Sequence, residues 1–301
     1  MPTVELAGRG TVAYQWSGSG PEVIVLVNGS VFNYHQWDMQ ALPTLRRALN
    51  GQVRFLQYDY IGVGGSSAKT VPFRMFDLAD ELRDLLDALS VERVHLFGIS
   101  KGSLVGQAFL VRHRERILTF CGLGNPNVLS DRLEGTFSAF QERLAALEEI
   151  RELWPQRINR DNYAEVVNRV YVPAMFSKEY NDLSLMERLQ ALIVRRRIYP
   201  ALEGTFIQTM VDLFGFYVSE RSEEIPAYDA GLPQMQGVPI LLLNGTADTT
   251  TPMHMSRELA ELLPQAELVE FEGVTHMGPM LLKKEAKPVF ERYVAFMKSQ
   301  I

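Results

Sequence analysis

The chain has one cysteine in 301 residues, Cys121, so no disulfide can close within it. It sits in the apolar run ILTFCGL, which reads as a buried strand; a nucleophilic thiol needs activating neighbours that the run lacks. Positive charge is also in short supply. Against 36 Asp and Glu stand 30 Lys and Arg, a formal net charge of −6. Phosphate-binding surfaces need clustered cations, so this balance argues against nucleic acid as a partner. No run approaches the roughly 18 apolar residues that a membrane span requires. The opening MPTVELAGRGTVAY lacks the apolar core of a secretory leader, and a reducing, cytoplasmic setting is the expectation. Internal repeats, low-complexity tracts and long linkers are missing as well.

What is present is ordinary globular material. With 47% hydrophobic and 22% charged residues, 301 residues suit one large domain or a domain carrying an insertion. Short apolar runs bounded by turn residues recur: EVIVLVNG, VRFLQYD, RVHLFGIS, ILTFCGL, VPILLLNG and AELVEFEG. They lack clean alternation, as strands covered on both faces do. In FRMFDLADELRDLLDALS, Leu78, Leu82, Leu85 and Leu89 fall on one helical face. Alternating strands and helices predict an α/β fold with a mostly parallel sheet and ligands at the carboxyl ends of its strands.

The alternation stops after GLGNPNV and resumes at GVPILLLNG. Residues 127–234 read as helices: Phe137, Phe140, Leu144 and Leu147 form one stripe, Ser184 and Glu187 a capping box, and EGTFIQTMVDLFGFYV a further apolar segment. The expected organisation is a core of residues 1–126 and 235–301 with an all-helical cap at 127–234. The run Arg195, Arg196, Arg197 reads as a solvated helix face, or more sharply as a contact for a phosphate or carboxylate.

The stretch VHLFGISKGSLVGQ interrupts a strand with Gly98-Ile99-Ser100-Lys101-Gly102 before an apolar helix. A strand that turns at once into a helix needs small residues two before and two after the bend, where the elements nearly touch. Ser100 at the apex would carry its hydroxyl clear of the sheet. A serine hydroxyl is a poor nucleophile near neutral pH; it needs a base, and the base an orienting acid. Of five histidines, His35 and His113 fall in surface segments, His95 inside an apolar strand, and His254 at a helix start. His276, in EFEGVTHMGPM, follows the last strand in a glycine-flanked loop. Asp248, in ILLLNGTADTTTP, lies just beyond another strand. The order Ser100, Asp248, His276, each after a strand, is the α/β-hydrolase order. An oxyanion needs preorganised N–H donors; the backbone N–H groups of Lys101 and Ser30 are the candidates, with the Lys101 side chain a bystander.

Over nearly its whole length the chain resembles the α/β-hydrolase superfamily. YDYIGVGGSS stands where relatives carry an aspartate, an arginine-glycine pair and a glycine-serine, and Trp37 follows Asn28 by nine residues, similar to a frequent His-Gly…Trp pattern. Asn28 replaces the usual histidine and Ile61 the usual arginine, positions that support the oxyanion loop and its neighbour. VLVNGS and LLLNGTADTTTP…EGVTHMG are similar to the hydroxyacyl ester synthase and transacylase of rhamnolipid biosynthesis, whereas GISKGSLVGQ resembles the enol-lactone hydrolase and esterase branch.

The combined expectation is a serine hydrolase acting on an ester, lactone or thioester of a hydrophobic small molecule, since Phe, Leu, Met, Val and Tyr of the cap would enclose an apolar pocket. No metal or organic cofactor is required, because the serine does the covalent work. Two alternatives stay open. One is an acyltransferase drawing on an acyl carrier protein or coenzyme A thioester; the other is a non-catalytic binding protein on the same fold.

Overall fold

A computed structural model describes residues 1–29, 32–68, 74–127, 129, 134–154, 156–172, 180–216 and 224–301, with backbone alone for 134–140. Eight strands form one sheet: β1 (Thr3–Leu6), β2 (Gly10–Gly18), β3 (Glu22–Val27), β4 (Val53–Tyr58), β5 (Val94–Ile99), β6 (Ile117–Leu123), β7 (Ile240–Gly245) and β8 (Ala266–Phe271). Their order is β1-β2-β4-β3-β5-β6-β7-β8. β2 runs antiparallel to β1 and β4, and every other pairing is parallel. The six apolar runs of the sequence are β3 to β8. The β1–β2 hairpin was not among them, for a physical reason. Its strands are short or half-exposed and interleave Glu5, Thr11 and Gln15 with apolar residues.

The central strands lack alternation because both faces are covered. In β3, Val23, Val25 and Val27 face a core shared with α3 (Met75–Ala88) and α4 (Lys101–Arg112), while Ile24 and Leu26 face the opposite core. There, α2 (Ala41–Ala48) and α12 (Lys283–Lys298) supply Leu42, Leu45, Phe290 and Tyr293, and Phe97 stacks on Tyr293 with ring centres 4.1 Å apart. Leu78, Leu82 and Leu85 of α3 are fully buried, each adding about 1.5–3 kcal/mol of hydrophobic stabilisation. Leu89, expected on the same face, is half-buried at the helix end.

Between β6 and β7 the described residues form helices: α5 (Glu134–Leu153), α6 (Tyr163–Val166), α7 (Leu185–Leu202), α8 (Ile207–Gly215) and α9 (Ile225–Gly231). An isolated bridge, Arg157 to Phe206, is the sole strand-like pairing among them. Of the α5 stripe, Leu147 is buried and Leu144 half-buried, while the Phe137 and Phe140 side chains lie outside the described residues. The Ser184 side chain accepts from Glu187 N–H, and the Glu187 side chain accepts from Ser184 N–H. This layer is bonded onto the carboxyl ends of the strands. Asn33, after β3, donates its N–H to Ala201 O at 2.7 Å and its side-chain amide to Pro200 O at 2.8 Å. Arg157 donates to Gly64 O, beyond β4, at 2.8 Å.

The chain passes from β3 to β4 on one side, then returns to β5 on the other. Chain order thus reverses between the parallel strands β3 and β5, which opens a crevice at their carboxyl ends. Asn28 and Ser100 stand there.

Candidate active site

Ser100 links β5 to α4 with φ 53° and ψ −119°. Only Ser90 shares a positive φ among the described non-glycine residues. The region is sparsely populated for a residue with a side chain, so the conformation is held by its surroundings. Ser100 N–H donates to Leu123 O at 2.8 Å, fixing the bend to β6. The flanking glycines are required by approach rather than by flexibility. A Cβ on Gly98 would run into the Gly102 carbonyl and lie 2.7 Å from Ser103 N; one on Gly102 would run into Val27 O and lie 2.8 Å from Asn28 O.

His276 and Asp248 come from the loops after β8 and β7. Thr275, beside the histidine, donates its N–H and hydroxyl to Glu285 Oε2 at 2.7 and 3.0 Å, which pins the loop to α12. Ala247 N–H donates to Val274 O at 3.1 Å and ties the two loops together. His276 Nδ1 lies 2.7 Å from Asp248 Oδ2 and Nε2 lies 3.1 Å from Ser100 Oγ. A carboxylate can only accept, so Nδ1 carries the proton and the lone pair of Nε2 faces the Ser100 hydroxyl. The structure therefore brings together all three residues singled out in the sequence. The Asp248 side chain is 2% exposed and that of His276 12%.

Four donors converge on Asp248. Oδ1 accepts from the N–H groups of Thr250 at 2.9 Å and Thr251 at 2.8 Å; Oδ2 accepts from His276 and from the Thr251 hydroxyl at 2.8 Å. Gly124, with φ 62°, lies under the imidazole: a Cβ there would stand 3.2 Å from His276 Cε1. Behind the elbow, Ser103 donates to Asn125 Oδ1 at 2.7 Å, and the Asn125 amide donates to Leu243 O and Ser256 Oγ, both at 3.2 Å. Sequence reasoning missed Thr251 and Asn125. The ADTTTP run did place three hydroxyls beside the candidate acid, but nothing in the spacing says which one turns inward.

Lys101 occupies the first position of α4, where N–H groups point out of the helix end. Ser30, the other oxyanion candidate, lies outside the described residues. Asn28 is fully buried and holds the neighbouring chain by its side chain: it accepts from Trp37 Nε1 at 2.8 Å and donates to Tyr58 O at 2.7 Å, while Tyr60 hydroxyl donates to Asn28 O at 2.8 Å. The asparagine thus does by hydrogen bonding what a support for this loop must do, and the nine-residue spacing to Trp37 is a direct bond. Gly29 N–H donates to Gln36 Oε1 at 2.8 Å. Ile61 is buried, and its N–H donates to the buried Glu81 at 3.0 Å. The Lys101 side chain is fully buried, its Nζ 3.4 Å from the centre of the Tyr60 ring. It is packed into the core against that ring.

Elsewhere, His95 is buried at 2.9 Å from Thr119 Oγ1, and burial lowers its pKa. His113 lies 2.8 Å from Asp80. Burial pushes the Cys121 thiol well above its ordinary range, which is inert chemistry. Among the described residues no cluster of three or more His, Cys, Asp or Glu could hold a metal ion, and no helix is long and apolar enough to cross a membrane.

Residues 22–281 match the family model for the alpha/beta hydrolase fold. A rhodomycin D methylesterase, DauP, of Streptomyces sp. (strain C5) is 24% identical over 280 residues, covering 85% of each chain. A homoserine O-succinyltransferase of Xanthomonas campestris is 33% identical over 128 residues, 42% of this chain, and the match spans only 34% of that relative. Among solved structures, a thermophilic esterase from Thermogutta terrifontis superposes with a TM-score of 0.74 at 18% identity, covering 100% of this chain and 99% of that one, a likeness of fold. The protein belongs to the alpha/beta hydrolase fold family and is an enzyme of the hydrolase type.

Proposed function

We propose that the protein is a serine hydrolase that cleaves a carboxylic ester, lactone or thioester of a hydrophobic small molecule through an acyl-enzyme on Ser100. The observation that carries this reading is the line Ser100 Oγ, His276 Nε2, His276 Nδ1, Asp248 Oδ2, with separations of 3.1 and 2.7 Å at its two hydrogen bonds. His276 takes the Ser100 proton as the oxygen attacks the carbonyl. Asp248 orients the imidazole and stabilises its charged form. The N–H of Lys101, with that of Ser30, receives the oxyanion; one such donor is worth about 2.7–4 kcal/mol of barrier. Collapse returns the proton from Nε2 to the leaving oxygen or sulfur, and an acceptor then releases the acyl group. The helices of 127–234 act as a cap that, with the strand ends, encloses the substrate.

A fluorophosphonate probe tests this. Ser100 should be labelled, and Ser100→Ala should lose both labelling and hydrolysis of p-nitrophenyl esters while keeping its circular dichroism. Labelling that persists at another residue would sink the assignment.

A second reading is supported by the succinyltransferase similarity. In it an alcohol or thiol, not water, takes the acyl group. Product analysis separates the two: free acids from esters and 3-hydroxyacyl thioesters favour hydrolysis, whereas exchanged esters with little free acid favour transfer.

A further inference from the structure

A cavity of about 590 Å³ adjoins His276. Ile193, Val194 and Arg197 of α7 form one wall, Met277, Leu281 and Leu282 another, and Ser100 is not part of its lining. The cavity therefore abuts the histidine of the proposed base and not the serine.

The imidazole side has a defined chemical role. When the tetrahedral adduct on Ser100 collapses, the bond from the acyl carbon to the leaving oxygen or sulfur breaks. The electron pair stays on that atom, which takes the proton from His276 Nε2. The leaving group must therefore lie beside the imidazole, and the acyl chain on the other side of the carbonyl. The acceptor that follows gives its proton to the same Nε2 as its oxygen or sulfur bonds to the acyl carbon. The carbon–Oγ bond then breaks and the proton passes to Ser100. Leaving group and acceptor share one position.

We infer that this cavity is the leaving-group and acceptor subsite, and that it takes an alcohol or thiol with an apolar body and an anionic end, held by Arg197. The inference rests on the acyl-enzyme reading above. Size supports it, because a water occupies only about 30 Å³ and the cavity is about 590 Å³. Its walls are mainly aliphatic. Arg197 is set in place by donating from Nη1 to Leu281 O at 2.6 Å, and its other guanidinium nitrogens make no hydrogen bond among the described residues. They remain able to bind a carboxylate or phosphate. Glu285 also lines the cavity, but its Oε2 is engaged by the two donors of Thr275. Lys283 and Lys284, both exposed, follow the lining residue Leu282 in the chain.

The test uses esters of one acyl group with three alcohols: methanol, butanol and 4-hydroxybutanoate, the last a carboxylate-ended match for butanol. Wild-type kcat/KM should be about tenfold higher for the carboxylate-ended ester than for the butyl ester. Arg197→Met should bring that ratio to about one, and Arg197→Lys should keep part of it. Ile193→Trp, which narrows the cavity, should lower the butyl-to-methyl rate ratio at least fivefold without shifting the preferred acyl length. Fluorophosphonate labelling of Ser100 checks that each variant is folded. Equal rates for the butyl and carboxylate-ended esters in the wild type would overturn the inference, as would an Ile193→Trp effect on acyl length instead of alcohol size. If no ester is cleaved and Ser100 stays unlabelled, the acyl-enzyme reading fails first and the subsite falls with it. Cleavage without alcohol discrimination overturns the subsite alone.

Discussion

The Thr251 hydroxyl donates to Asp248 Oδ2 at 2.8 Å and lies 3.2 Å from His276 Nδ1, so one side chain touches both partners of the pair that would activate Ser100. Its hydroxyl proton is committed to the carboxylate, and its oxygen then faces the Nδ1–H. This favours the tautomer that leaves Nε2 as the base.

Thr251→Val keeps the shape and the Thr251 N–H bond to Oδ1 but removes the hydroxyl. We expect kcat to fall about tenfold, or roughly 1.4 kcal/mol of barrier, with KM little changed. Thr251→Ser should restore kcat. A Val variant with wild-type kcat would show that the contact is packing only.

Much of this was legible beforehand, and the boundary has physical causes. Strands β3 to β7 announce themselves because burial on both faces demands apolar residues nearly throughout, while the half-exposed edge strand β8 shows only a short apolar run broken by Glu267 and Glu270. β1 and β2 do not, since each keeps polar residues on a half-exposed face. Ser100 is legible because close approach forbids any side chain at Gly98 and Gly102. Asp248 and His276 are legible from chain order. Thr251, Asn125 and buried Lys101 are not, because their roles depend on which way a side chain turns after the loops have met. The absent arginine at Ile61 and histidine at Asn28 raised the question of loop support, and the Asn28 bonds to Trp37 and Tyr58 show one answer that spacing alone only hinted at.

The elbow itself is strained. Ser100, at φ 53° and ψ −119°, occupies a region costing about 1–3 kcal/mol for a residue with a Cβ. Ser100→Gly should therefore be more stable than Ser100→Ala by about 1 kcal/mol, after the entropy cost of glycine in the unfolded chain is deducted. Both lose the nucleophile, so the comparison isolates the backbone. Urea unfolding decides it: an Ala variant at least as stable as the Gly variant would mean that no strain is stored there.

Gly102 makes a contrasting prediction. Its added Cβ would press on the carbonyls of Val27 and Asn28, rigid backbone at the end of β3. Gly102→Ala should cost more than about 2 kcal/mol and suppress fluorophosphonate labelling by displacing the elbow. Gly8, with φ 73°, has nothing within 4 Å of its added Cβ. Gly8→Ala should cost only the conformational penalty of about 1–2 kcal/mol and leave labelling intact. Equal behaviour of the two variants would refute the close-approach argument.

The buried Asp59 gives stability a pH dependence whose sign can be worked out. Its carboxylate accepts the N–H of Tyr34 at 2.8 Å and of Gly65 at 2.9 Å, joining the loop after β4 to the segment that follows Gly29. Burial raises its pKa from 3.8 to about 6, and those two N–H bonds only partly oppose the rise. Between about pH 4 and 6 the native protein holds a proton that the unfolded chain has released, so this group makes stability fall as pH rises. Above about pH 6 the buried charge costs at most roughly 3 kcal/mol, from about two pKa units at 1.36 kcal/mol each. Asp59→Asn removes the titration, and its amide nitrogen must face one of the two N–H donors, so the variant is destabilised throughout. The stability gap between wild type and variant should widen as pH is lowered from about 7.5 to about 4.5. His95, whose pKa burial depresses, works in the opposite direction but is present in both proteins and cancels in the difference. Urea midpoints at about pH 4.5, 6 and 7.5 measure the gap. A gap that is constant, or that narrows in acid, would mean the Asp59 carboxylate is not titrating where its burial places it.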